Sequence, residues 1–450
     1  MTPRRKTSFA PLLVLIVACG PANGGKPNSG TTPTSCTLPA TITASTTLTT
    51  ACKPWHVSSS GTTVAGSTSP VLTIDPGVTI AFDKGGFLSI GTGTGSGTAE
   101  AGGLVAVGTE KAGIIFTSSA AIPAAGDWTS VVLADNSLAT STIAHATFEY
   151  GGGGPAQDGY SYDEPPAALL VYSSTKSLDL PLHDLTVSHD GGNGIVLDGI
   201  DVGYGTGSGL LTVKDWAAGD APFIISANQA RTLPPTLTAA GGVVELIKGA
   251  GGPPGTGDSA IVEVSQTWPA IPLPYLVAGL QAGSSGGVQI EGAGNSTATL
   301  TIAAPNTLDF KSGGSIDVDP NGSAQAALVA AGTSTDPITF TAYGANPTPG
   351  AWGGIQFNAP NNGGGALASS SLTGVTVDWA GDGTITVGGQ KVAVGIFASS
   401  TASGPAIAGS TIENYPSDAC AIGVEQHVTP PASYDTPANS FSGQCTVVTP

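Results

Sequence analysis

The chain has 450 residues, of which 66 are Gly, 10% are charged and 40% are hydrophobic. Thirteen basic residues stand against 31 acidic ones, a formal charge of −18. A phosphate backbone is held by clustered Lys and Arg, so this balance argues against nucleic acid as a partner. Short bursts of Val, Ile and Leu between Gly-rich turns exclude a wholly disordered chain and favour many short strands.

The N-terminus comes first. Arg4, Arg5 and Lys6 precede an apolar run from Phe9 to Ala18. Such a run is too short to span a bilayer, which takes about 20 residues, and has the length of a signal-peptide core. It ends Ile16-Val17-Ala18-Cys19, which resembles the bacterial lipobox. The resemblance implies a lipoprotein signal peptide over 1–18, cleavage before Cys19, and acyl chains of the palmitate type on its sulfur and new amine. Two or more chains anchor firmly, each buried CH₂ contributing ~0.8 kcal/mol. Membrane lipid is then one partner, and the cell envelope is the expected location. Gly20, in place of Asp, favours the outer membrane. Residues 19–40, rich in Gly, Pro, Ser and Thr, are expected to form a flexible, disordered tether.

With Cys19 set aside, Cys36, Cys52, Cys420 and Cys445 remain. An exported chain can oxidise them. Cys36–Cys52 with Cys420–Cys445 is the simplest of three possible pairings. No CxxC occurs, which argues against a metal site.

The central feature is a duplication. "LTIDPGVTIAFDKGGFLSI" (72–90) matches "LTIAAPNTLDFKSGGSIDV" (300–318), and "GGLVAVGTEKAGIIFTSS" (102–119) matches "AALVAAGTSTDPITFTAY" (326–343). "GDWTSVVL" (126–133) pairs with "GAWGGIQF" (350–357), and "STIAHATFEYGG" (141–152) with "SSLTGVTVDWAG" (370–381). "AALLVYSS" (167–174) and "LHDLTVSHD" (182–190) follow with "VAVGIFAS" (392–399) and "IAGSTIENY" (407–415). Order is kept throughout. Within each block short strands recur every 20 to 29 residues with no helical periodicity, as a parallel β-solenoid requires. Alternation puts Ala146, Phe148 and Tyr150, with their matches Val375, Val377 and Trp379, inward. His145, Thr147 and Glu149 then face out. The expectation is two tandem units, 41–228 and 229–450, with the cysteine pairs guarding the raw strand edges at either end.

These blocks are similar to the right-handed parallel β-helix surface lipoproteins, with "LTIxPGVxIxF", "LxAxGTxxxPIxFTS", "WxGIxF" and "EYxG" patterns over roughly 53–215 and 266–424. The resemblance implies an all-β, right-handed parallel β-helix and a scaffold with no assigned reaction.

Candidate sites are few. The loop "QDGYSYDEPP" (157–166) is present only in the first block and offers Asp158, Tyr160, Tyr162, Asp163 and Glu164 to a sugar or cation, with Glu149 nearby; a solvated acidic loop is the plainer reading. Glu149 is matched by Asp378, so an outward acid recurs. Asp184 and Asp190 lie further along. His145, His183 and His189 invite a metal, but in an extended strand the last two stand about 20 Å apart, too far to share an ion. They read as surface imidazoles. Arg231, the one arginine left after the signal, lies between the blocks and away from these acids. No cofactor is expected; turn-bound Ca²⁺ through "DPNG" (319–322) or "DWAGDG" (378–383) is the sole option left open. The expected function is a lipid-anchored cell-surface protein with a structural, adhesive, or glycan- or protein-binding role. The expectation for catalysis is negative, with no catalytic residue assigned. The alternative is a polysaccharide lyase or glycoside hydrolase of the parallel β-helix fold.

Overall fold

Val, Ile, Thr and Phe favour pleated backbone because branched and aromatic side chains pack well on a sheet. In Thr79–Phe82 the buried Ile80 and Phe82 alternate with the half-buried Thr79, so one set of side chains enters a core as the other leaves it. The computed structural model describes residues 35–93, 98–154, 165–199, 201–248, 260–278, 286–293, 296–320, 326–359, 369–398, 401–435, 438–443 and 445–449. Of the described residues 47% are strand and 2% helix, so no helical crossover organises them. Ser35–Pro450 form one unit.

Pairing is parallel almost throughout. A 14-stranded sheet runs from Thr41–Ile42 to Ser440–Phe441, and the strands between its members belong to other sheets. Each coil of chain thus contributes one strand to this wall and stacks on the coil before. A ten-stranded sheet that includes Thr46–Leu48 and Leu237–Thr238 forms a second wall in the N-terminal half. From Ala260–Val262 and Gln266–Trp268 onward, eight- and five-stranded sheets take over that role. The fold is all-β with several parallel sheets, an arrangement compatible with a β-solenoid.

Corners are made inside strands as well as between them. Thr142–Glu149 pairs through Thr142, Ile143 and Ala144 with Val105, Ala106 and Val107, and through Ala146, Thr147 and Phe148 with Ile114, Ile115 and Phe116. Between the two sections His145 sits at φ 48° and turns the strand. The interior is filled by stacked aromatics. Phe82 lies on Trp128 with ring centroids 4.4 Å apart, Phe116 on Phe148 at 4.7 Å, and Phe310 on Trp352 at 4.0 Å. Burying one such side chain contributes roughly 1.5–3 kcal/mol, so the aromatic stack is a large share of what holds successive coils together.

Matched segments do not share walls. Thr79–Phe82 and Leu88–Ile90 lie on the ten- and 14-stranded sheets, whereas their counterparts Asn306–Phe310 and Ser315–Val318 lie on the 14- and eight-stranded sheets. The long wall therefore carries the third strand of each N-terminal coil and the second strand of each C-terminal coil. Its pairing stays unbroken across the junction, through Asn193–Asp198, Phe223–Ser226, Val244–Ile247, Tyr275–Val277 and Asn306–Phe310. A 3₁₀ helix, Ala227–Thr232, marks the change. The Trp268 indole donates to Ala227 O at 3.2 Å, and Glu263 N donates to Asn228 Oδ1 at 3.1 Å. Those acceptors seat the first strands of the two new sheets. The unit boundary expected at 228/229 falls within this helix.

Two of the walls are also covered on their outer side. Val132, Leu170, Val196 and Ile224 point outward from the long wall, each buried at 0% exposure, in a cluster separate from the main core. In the C-terminal half Thr386–Val387 pairs antiparallel with Gln390–Phe397 and packs Ile385 and Val387 against Val392 and Cys420. Beneath this hairpin the outward positions of successive strands are Gly395 and Gly423. A Cβ on Gly395 would meet Ile385 Cγ2 at 2.5 Å, and one on Gly423 would meet Val387 Cγ2 at 2.7 Å. Glycine is needed there because the hairpin occupies the side-chain space. Cys36 and Cys52 lie at disulfide distance, 2.11 Å, in the first described coil, and Cys420 and Cys445 lie at 1.90 Å in the last. Cys19 lies outside the described residues.

Candidate binding surface

Among the walls left open are those built from the second strand of each matched coil. Their outward residues are in register. In the N-terminal half Thr79 pairs with Ile115, then Thr147, Thr186, Thr212 and Thr238 follow rung by rung. In the C-terminal half Thr307, Thr339, Thr376, Thr411 and Ser440 do the same. The first four rungs of one ladder match the first four of the other in the duplication. Strands sit ~4.8 Å apart, so the ladders extend ~24 Å and ~19 Å. Apart from Ile115, which separates Thr79 from Thr147, each rung presents a hydroxyl beside that of the next, and every threonine adds a methyl. Every member is half-buried or exposed. A shorter row, Thr47, Thr73, Val105 and Thr142, lies on the same ten-stranded sheet.

A second outward row runs two residues further along each strand. It reads Ala81, Thr117, Glu149 and Ser188 in the first half, and Asp309, Thr341, Asp378 and Glu413 in the second. Glu149 and Asp378 are therefore equivalent in register and half-buried. Thr117 Oγ1 donates to Glu149 Oε2 at 3.4 Å, and Asn414 Nδ2 donates to Asp378 Oδ1 at 2.8 Å. Burial pushes the Asp309 carboxyl up to about 6. The main-chain carbonyls of Glu149 and Asp378 each accept the indole N–H of a core tryptophan, Trp128 and Trp352, both at 2.7 Å. The recurrence of this position thus has a structural cause at the backbone, independent of the carboxylate.

The next residue ends the inward row earlier than expected. Tyr150 and Trp379 take left-handed backbone, φ 67° and 62°, and are only partly buried. Alternation stops at the corner because a left-handed residue redirects the chain. Tyr150 instead stacks on His189 with ring centroids 5.0 Å apart.

The histidines separate into two groups. His145 Nδ1 contacts Asp184 Oδ2 and its ring lies edge-on to His183 at 5.8 Å. His189 Nδ1 faces Asp215 Oδ2 at 3.4 Å. His145 and Asp184 occupy left-handed corner positions that are Gly374 and Gly409 in the second block. Left-handed backbone disfavours a non-glycine residue by roughly 1–2 kcal/mol, and the two side chains at these corners contact each other. Among the described residues no group of three His, Cys, Asp or Glu side chains could hold a metal ion. Asp158, Tyr160, Tyr162, Asp163 and Glu164 lie outside the described residues, as does part of the "DPNG" turn.

Three acidic residues gain meaning only in three dimensions. Asp190 is 4% exposed and accepts N–H groups from Ala168 at 3.3 Å and Gly192 at 3.2 Å. Burial nevertheless pushes its carboxyl up to about 7. Strands Leu178–Leu180 and Val202–Tyr204 pair in parallel, as Ala402–Ser403 and Val428–Thr429 do in the second block, and bring Asp179 and Asp201 to the 3₁₀ helix. There Gln229 Nε2 donates to Asp201 Oδ1 at 2.9 Å, and burial raises the Asp179 carboxyl while the nearby Arg231 guanidinium lowers it. Arg231 thus has acidic neighbours, though not the acids singled out in sequence. Only the pairing of these two strands could have linked them.

Chemically, the open walls offer a regular array of hydroxyl donors and acceptors with intervening methyls. That suits multivalent contact with a long partner. No protein-family model matches the chain, and neither a curated protein nor a solved structure matches it.

Proposed function

We propose that this chain is a lipid-anchored cell-envelope protein whose two tandem right-handed β-helical units bind an extended, neutral polysaccharide without cleaving it. The observation that carries the reading is the in-register threonine ladder on the open wall of each half. Repeated hydroxyls at ~4.8 Å spacing suit a polymer of hydroxyl-bearing units about one rung long. The excess of 31 acidic over thirteen basic residues repels polyanions, so a neutral chain is the favoured ligand. Cys19 supplies the anchor and residues 19–34 the tether, shorter than the 19–40 expected from composition because Leu38 is buried and its N–H bonds His56 O in the first coil. A glycan array spanning neutral and acidic polysaccharides tests the binding. Thr147→Lys with Thr186→Lys lowers retention on the neutral ones if the reading holds; unchanged retention overturns it. Incorporation of a labelled fatty acid that disappears in Cys19→Ala tests the anchor.

A second reading, polysaccharide cleavage, draws on Arg231 beside Asp179 and Asp201. Release of reducing ends or unsaturated products from any polysaccharide in the panel, abolished by Arg231→Ala, would replace the non-catalytic reading.

A further inference from the structure

We infer that the protein is bivalent: its two threonine ladders point from different walls, so one molecule bridges two polysaccharide chains. The inference rests on the binding reading above and adds its geometry. The four matched positions Thr79/Thr307, Ile115/Thr339, Thr147/Thr376 and Thr186/Thr411 would form one continuous ladder if the second block repeated the first without rotation. They do not. The first ladder belongs to the ten-stranded sheet and the second to the 14-stranded sheet. The ten-stranded sheet ends at Leu237–Thr238, so no strand extends the first ladder into the C-terminal half.

The long wall that carries the second ladder is no platform for the first ligand either. On its N-terminal stretch the outward row starts with Thr41, Thr63 and the buried Ser89, and then turns to the buried, apolar Val132, Leu170, Val196 and Ile224, followed by Glu245 and Leu276. Glu245 is 5% exposed and faces Lys311 Nζ at 3.3 Å. The second ladder starts beyond that point. On the other side of the second ladder, the eight-stranded sheet lies under the hairpin at Gly395 and Gly423. Each ladder is thus flanked on one side by a covered wall, and the two strips, on different sheets, face different sides. A single stiff chain lies along one strip and cannot turn onto the other. Two chains fill both.

The test uses the full chain with hydroxyethyl cellulose and galactomannan as neutral polymers, and a defined oligosaccharide of each. The expected wild-type result is two oligosaccharide sites per molecule and strong light scattering when protein and polymer are mixed. Thr147→Lys/Thr186→Lys and Thr376→Lys/Thr411→Lys each leave one site and abolish the scattering. Apparent affinity for a dense polymer film then falls about a hundredfold, the scale on which avidity is lost. Thr→Val at the same four positions removes the hydroxyls while keeping the branched shape, and follows the same pattern if a lysine variant fails to fold. One site in the wild type, or scattering undiminished by blocking either ladder, overturns bivalency and leaves binding intact. No wild-type binding to either polymer overturns both readings.

Discussion

Asp190 makes the stability of this protein fall as the solution becomes less acid. Its carboxyl is 4% exposed and pushed from 3.8 up to about 7 by burial, with backbone N–H groups only partly offsetting that effect. The sign follows from linkage. Between about pH 4 and 7 the folded chain holds a proton at Asp190 that the unfolded chain has released, so unfolding is favoured as pH rises through this window. Each tenfold gain in proton affinity on folding corresponds to about 1.4 kcal/mol, which sets the whole effect on the order of 4 kcal/mol. Asp309 and Asp317, each pushed up to about 6 by burial, act in the same direction at lower pH. Above about pH 6 the Asp190 contribution becomes the larger one, and comparison with a variant lacking its carboxyl separates it from the other two. Asp190→Asn keeps an oxygen for Gly192 N and removes the titration. Urea unfolding followed by tryptophan fluorescence, at half-unit pH steps, should show the wild type losing stability over that range relative to the variant. Parallel pH profiles for the two proteins would refute the assignment.

Three further outcomes follow from the packing. Gly395→Val and Gly423→Val force the hairpin off the outer wall, at about 1–3 kcal/mol; limited proteolysis should cut near Gly388 and Gly389 faster, whereas Gly85→Ala, with nothing near its Cβ, tests only the backbone. Trp352→Phe removes the donor to Asp378 O and leaves a buried carbonyl unsatisfied, at about 1–3 kcal/mol; a similar loss in urea stability is expected for Trp128→Phe, which breaks the matched bond to Glu149 O. Cys445→Ser frees the last coil by roughly 3 kcal/mol, and hydrogen exchange should rise first in Ala419–Val424, where Cys420 sits.

Much of the wall structure was legible in sequence because period-two alternation is a local property. Ile80, Phe82, Ala146 and Phe148 are inward as their spacing demands, and Trp128 and Trp352 take equivalent places. Tyr150 and Trp379 escaped because a left-handed corner is set by how the chain turns, and neither residue type announces one. The threonine ladders were visible only as scattered Thr residues; register between strands 26 to 39 residues apart converts them into a surface. The rotation between the blocks was not legible at all. It depends on how many strands the junction spends on each wall, and residues 216–265 match nothing in the duplicated segments. The acid-rich loop at 157–166 drew attention by composition and Asp190 by its nearness to Asp184, but the burial of Asp190 follows only from how the coils stack.

The 3₁₀ helix Ala227–Thr232 has a consequence for how such a chain can change over generations. Adding a whole coil lengthens a stacked rod and leaves every face pointing as before. Adding or losing a single strand at the junction indexes everything downstream by one face, as a ratchet advances a wheel. The angle between the two threonine strips is therefore a quantity written in strand number, adjustable without altering one residue of either strip.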